Sequence, residues 1–271
     1  MNWRAIRAVI RKDLLQAASN RIIWVSFIGV PVMLLVIMPV GMVLMPQLVP
    51  EQIDLRELET MLRSVPPGLK ARLGAFLADQ MWVMLAANYM FMPFFLLVPM
   101  MISSIIAADG IAGEKERKTL EGLLYMPISD AELFISKVLA AWIPALAITL
   151  VSFIVYGLAV NLAGYGTMQR LFFPEPAWWP LVFLVAPAVS LASLAVTVII
   201  SAKAKSFMAA QQASGFIVLP VIALMVGQVS GLFFLSTWVV LLIGVLFWAI
   251  ALMLAKIATN KISRDELVTQ V

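Results

Sequence analysis

Six apolar runs, each long enough to cross a bilayer, decide what this chain can fold into. They fall at 22–45, 86–108, 134–161, 178–201, 207–229 and 233–256. About 20 predominantly apolar residues cover the ~30 Å hydrocarbon core of a bilayer as a helix. Each run meets that length, and no Asp, Glu, Lys or Arg lies deep in any of them. Composition agrees: 63% of the residues are hydrophobic and 13% charged, against roughly 45–50% and about 25% in a soluble domain. A chain of 271 residues cannot bury that much apolar surface in one water-facing core. The reading is an all-α, polytopic membrane protein with six transmembrane helices and a single transmembrane domain.

Basic residues orient the spans. With six spans, Arg56, Arg63, Lys70, Arg72 and Arg170 fall on one side, and the other fourteen of the 19 basic residues fall on the side that holds both termini. The positive-inside bias then predicts that both termini are cytoplasmic and that the 46–85 loop is extracytoplasmic. Residues 1–20 precede the first span. Trp3, Ile6, Val9, Ile10 and Leu14 share one helical face, and Arg4, Arg7, Arg11 and Lys12 occupy the other. That pattern predicts an amphipathic helix in the headgroup region of the inner leaflet; a plain basic anchor is the alternative. In the 46–85 loop, Leu55, Leu58, Met61 and Leu62, then Leu69, Leu73, Phe76 and Leu77, recur at helical spacing on either side of Pro66–Pro67–Gly68. Two short helices resting on the outer face are expected there. The polar break at 228–237 leaves a hairpin and a re-entrant segment both open.

The residue census removes most chemistry. Cysteine and histidine are both absent, which excludes disulfides, thiol nucleophiles, Cys/His zinc sites and histidine acid–base catalysis. A membrane-embedded hydrolase has no catalytic constellation to draw on. The spans lack the charges that mark proton and ion pathways, which counts against a secondary-active transporter. Asn88, Ser103, Thr149, Tyr156, Thr197 and Gln228 are the polar residues that could line a pathway. Interhelical hydrogen bonding is the competing role for each.

Residues 109–137 are the informative segment. Gly110 and Gly113 are expected to end the second span. A helix then runs from Glu114 to Tyr125, with Leu120, Leu123 and Leu124 on one edge and charges of both signs around the rest. Pro127 closes it. Ser129 followed by Glu132 forms a capping-box signature for the next helix. A helix this small has no core of its own. From the residues alone it is either a solvated connector or a helix that docks into a groove on another protein.

The run Gly113-Glu114-Lys115-Glu116-Arg117-Lys118-Thr119-Leu120-Glu121-Gly122-Leu123-Leu124, with Pro127-Ile128-Ser129, Glu132-Leu133 and Lys137 beyond it, resembles the signature of ABC type-2 transporter permeases. The resemblance implies the transmembrane subunit of an ATP-binding-cassette exporter in a prokaryotic inner membrane. It implies a second permease, identical or homologous, and two ATPase subunits as partners. Residues 1–20 would be the elbow helix. Residues 113–126 would be the cytoplasmic coupling helix, with Glu114, Glu116, Arg117, Leu120, Leu123 and Leu124 meeting the ATPase. No Walker A sequence occurs, so ATP and magnesium belong to the partner ATPase and this chain carries no cofactor of its own. No nucleic acid is implied as a partner. A pathway of methionine, phenylalanine and weakly polar groups suits a hydrophobic or amphipathic cargo, such as a drug, a lipid or a peptide, with sodium as a further candidate. A secondary-active transporter, or a membrane scaffold without an ATPase, is the competing functional reading.

Overall fold

The computed structural model describes residues 3–19, 24–48, 70, 73, 74, 76–119, 129–229 and 235–261. Those residues form an amphipathic helix, α1 (Trp3–Ser19), and six spans. The spans are α2 (Phe27–Leu48), α3 (Ala78–Glu116), α4 (Asp130–Met168), α5 (Trp178–Lys203), α6 (Phe207–Gln228) and α7 (Thr237–Lys261). The six expected spans are therefore all present, and an even number returns the chain to the end of the bundle where α1 lies. That end, rich in lysine and arginine, is called the basic end below.

Two spans are much longer than the sequence suggested. α3 and α4 each run for 39 residues, about 58 Å at ~1.5 Å per residue, nearly twice the hydrocarbon thickness. α3 takes in the last residues of the expected loop, starting at Ala78, and it does not stop at Gly110 or Gly113. The helix passes through both glycines to Glu116 and closes only where Lys118 adopts a left-handed conformation, φ 56°. The glycines cost some helix propensity, but packing on three neighbouring helices outweighs it. The expected helix Glu114–Tyr125 thus begins as the last turn of α3, and residues 120–128 lie outside the described residues. The capping box is as expected: Ser129 Oγ accepts from Glu132 N at 3.3 Å, and Ser129 N donates to Glu132 Oε2 at 3.0 Å. The two expected loop helices fall largely outside the described residues, as does the break after Gln228.

Prolines shape the spans from within. Wide i→i+5 turns at Val25–Gly29, Met33–Ile37, Ala86–Met90 and Leu181–Val185 stand just ahead of Pro31, Pro39, Pro93 and Pro187. Proline lacks the donor for an i→i−4 bond and pushes away the carbonyl it would have used, so the turn before it opens. A fifth wide turn, Asp109–Gly113, has no proline after it. It sits at the candidate site instead.

α3 and α5 form the centre, with 78% and 61% of their spanning windows buried, against 28% or less for the other four spans. Ile154, Leu158 and Leu162 of α4, Phe216 and Val226 of α6, and Leu242 and Leu246 of α7 face outward, as lipid-facing surface does. At the end opposite the basic one, Phe95, Phe153, Tyr156, Phe173 and Trp178 pack as a ring cluster, with centroids 4.8–6.2 Å apart. Asn161 Oδ1 accepts from Phe172 N and Phe173 N, and Asn88 Oδ1 accepts from Glu175 N. These bonds hold the α4–α5 connection down on the bundle.

Candidate functional site

α1 does not simply float at the membrane surface. Its buried residues are Ile6, Val9, Asp13 and Ala17, one stripe at helical spacing, and Val9 packs on Leu133 near the start of α4. Trp3 and Leu15 are exposed. The stripe that faces protein therefore includes an acid. Asp13 is the single acidic residue among the first 20.

The acid is buried because a base meets it. Lys137, two turns into α4, places Nζ 3.0 Å from Asp13 Oδ2 and 3.1 Å from Oδ1. The same ammonium lies 2.9 Å from Glu114 Oε1, at the end of α3. Lys12 of α1 also pairs with Glu114 and stands 3.7 Å from Asp13. One helical turn back on α3, Asp109 accepts from Gln16 Nε2 at 2.7 Å and from Arg117 Nη1 at 3.0 Å, while Arg117 Nη2 reaches the Asp109 carbonyl at 3.2 Å. Three carboxylates and three cations thus form a charge-balanced network in two bonded groups, Asp13 and Glu114 with Lys12 and Lys137, and Asp109 with Arg117, between α1, α3 and α4. Glu114 is 0% exposed, Asp13 and Asp109 are 4%, and Lys137 is 8%. Charges are buried to this extent only where partners meet them. One lone oxygen, Glu114 Oε2, is buried without a hydrogen-bond partner among the described residues.

The wide turn at Asp109–Gly113 makes the network fit. A Cβ at Gly113 would stand 2.8 Å from Asp109 Oδ1 and 2.9 Å from Arg117 Nη2, whereas one at Gly110 would meet nothing closer than 3.7 Å. Gly113 is the position where the Asp109–Arg117 pair needs a missing side chain. Wide helical turns away from proline are frequent at functional sites.

The end of α3 also reaches the other side of the bundle. Lys115 Nζ donates to the carbonyl of Ala202 at the end of α5, and Glu116 Oε2 accepts from Phe207 N at 2.9 Å, at the start of α6. A displacement of residues 109–119 would be felt by α1, α4, α5 and α6 together.

Of the residues expected to meet an ATPase, Glu114 is therefore sealed inside the chain, Glu116 caps α6, and Arg117, with a side chain 42% exposed, is paired with Asp109. Leu120, Leu123 and Leu124 lie outside the described residues. Sequence reasoning missed Lys12, Asp13, Gln16 and Asp109. The lone acid of a basic helix, in register with Ile6 and Val9, was the available signal.

The six polar residues considered for a pathway are already bonded within the bundle. Ser103 Oγ donates to Ser190 O at 3.0 Å, Thr197 Oγ1 meets Ser104 Oγ at 2.8 Å, and Tyr156 donates to Ala87 O at 2.5 Å. Gln228 donates to Tyr89 O at 2.6 Å, Asn88 to Phe172 O at 3.4 Å, and Thr149 to Ala145 O of its own helix at 2.6 Å. A pathway role for any of them requires these bonds to exchange during transport.

The family model described as ABC-2 family transporter protein matches residues 7–264. No curated protein matches the chain.

Proposed function

The chain belongs to the ABC-2 family of transporter proteins, and from that premise we propose how its ionic network is used. The protein is a multi-pass membrane permease of an ABC transporter, a component that works with an ABC ATPase. In our reading the basic end faces the cytoplasm of a prokaryotic cell, where two ATPase subunits seat against a pair of permeases. The second permease, identical or homologous, packs through α2 and α6, where Gly41 and Gly215 have no neighbouring atom within 4 Å of a Cβ position. The segment from Glu114 to residue 126 is the coupling helix, and the leucines at 120, 123 and 124 enter the ATPase cleft.

The observation that carries this reading is Glu114, fully buried between bases of α1 and α4 at the first residue of the family-like coupling segment. A push on that segment cannot move Glu114 without moving Lys12 and Lys137. The network so converts motion at the ATPase face into motion of α1 and of the long spans. Export of a hydrophobic or amphipathic cargo fits the apolar spans better than sodium, since Ser103, Tyr156 and Thr197, three hydroxyls that could coordinate an ion, already bond between helices. The test is ATP hydrolysis by the complex that co-purifies with the full chain. With Glu114→Gln, the ATPase should still co-purify, but stimulation of hydrolysis by cargo should be lost. Stimulation equal to that of the unmodified complex would overturn the transmission role.

A further inference from the structure

We infer that the cleft between α5, α6 and α7 is a binding site for an anionic phospholipid, its acyl chain in the cleft and its phosphate on Lys203 and Lys205. The cleft has a volume of about 550 Å³, and every lining residue is apolar, among them Val196, Ile200, Phe216, Pro220, Phe247 and Leu254. Its size lies within the ~300–1,000 Å³ of small-molecule sites. α6 and α7 flank it as peripheral helices, each with 17% of its spanning window buried. The tight turn Gly215–Val218 ahead of Pro220 interrupts the helix beside the cleft. The lining runs from Val189 to Ile200 on α5, that is, from mid-span to within one turn of the basic end.

Two cations follow that lining at the basic end. Lys203 continues the α5 stripe Ala192–Val196–Ile200 by one turn, and Lys205 lies in the short connection to α6. Both are exposed, and among the described residues neither has an ion pair. Four other cations close to the end of α3 are committed: Lys12, Lys137 and Arg117 to carboxylates, Lys115 to the Ala202 carbonyl. Glu116, the acid that reaches the start of α6, is occupied with the N-terminus of that helix. Basic mouths on apolar interhelical pockets at the cytoplasmic side select anionic headgroups. A second apolar cleft, between α2 and α4 and lined by Phe27, Pro31, Leu35, Ile148 and Val151, serves as the internal comparison.

The assignment to the inner leaflet rests on the orientation proposed above, while lipid retention itself does not, so the two readings fail separately. The experiment is native mass spectrometry of the purified full chain, delipidated and then titrated with phosphatidylglycerol or phosphatidylcholine of the same chains. We expect one tightly retained phosphatidylglycerol per chain. Lys203→Gln with Lys205→Gln should lower the preference for phosphatidylglycerol about tenfold, with an unchanged elution profile. Ala213→Trp, which fills the cleft from the exposed side of α6, should abolish retention of both lipids, and Val151→Trp in the other cleft should not. Equal retention of the two lipids, or a preference that survives the double lysine substitution, overturns the proposal. So does efficient disulfide cross-linking of Leu246→Cys, on the α7 wall of the cleft, between two copies, which would give the cleft to the permease pair.

Discussion

Lys137 and Glu114 meet at 2.9 Å, with 8% and 0% exposure, at the junction of α3, α4 and α1. The lysine also holds both oxygens of Asp13. This contact ties the end of α3 to α1 and α4. A surface pair of the same length would contribute little, because water competes for both charges. Buried, each charge depends on the others, and removing one leaves the rest uncompensated.

The first prediction follows from that balance. Lys137→Met leaves two buried carboxylates with one base short, and it should destabilise the solubilised permease by about 3–5 kcal/mol. Combining it with Glu114→Leu removes one charge of each sign and should recover most of the loss. Denaturant unfolding of the three variants in detergent measures both values. A double variant no more stable than Lys137→Met would show that overall balance does not govern the site.

The second prediction separates two glycines. Gly113→Ala drives a methyl within 2.8 Å of Asp109 Oδ1, so the Asp109–Arg117 pair must part or the turn must shift. It should lower stability by about 1–3 kcal/mol. Gly110→Ala meets only ordinary contacts at 3.7 Å and beyond and should be neutral to slightly stabilising through helix propensity. Thermal melts of the two variants should therefore move apart. Equal shifts would remove the special role of Gly113.

Much of the fold was legible in the sequence, because bilayer length and proline chemistry are local. Six spans, the Ser129–Glu132 cap and the basic asymmetry follow from residues close together in the chain. The site was not legible for the opposite reason. Asp13 and Lys137 are 124 positions apart and Gln16 and Asp109 are 93 apart, so no window contains both members of a pair. Helix α1 shows the same limit: only α4, which brings Leu133 against Val9, reveals that part of its apolar face packs on protein. Gly110 and Gly113 resembled helix breakers, and only the packed neighbours show why the helix continues.

Orientation is the third prediction. Cysteines at Arg170 and Lys118, introduced one at a time into this cysteine-free chain, should label differently in intact cells. An impermeant thiol reagent should modify residue 170 and leave residue 118 until the cells are opened. The reverse pattern would invert the permease and remove the ATPase from the basic end.

Thr197 and Tyr156 carry the fourth. If their hydroxyls hold helices together, Thr197→Val and Tyr156→Phe should each cost about 0.5–1.5 kcal/mol of stability. The concentration of cargo giving half-maximal transport should not move. A large change in that concentration at unchanged stability would place the residue on the cargo's path.

The last prediction concerns the edge proposed to meet the ATPase, and the structure changes what each substitution reports. Arg117 is tied to Asp109 within the chain, so Arg117→Ala is a test of the ionic network rather than of the interface. It removes a half-exposed partner while Gln16 still holds Asp109. The permease should lose a modest amount of stability, and the ATPase should still co-purify. Leu123 lies beyond the left-handed Lys118, in the segment proposed to enter the ATPase cleft. Burying a leucine side chain there is worth roughly 1.5–3 kcal/mol, and an aspartate in its place must also be desolvated. Leu123→Asp should therefore abolish co-purification while the melting temperature of the isolated permease stays unchanged. The two variants fail in opposite assays, one in stability and one in assembly. If Leu123→Asp kept its ATPase and its transport, residues 113–126 would not be the coupling helix, and the network around them would have no input to transmit.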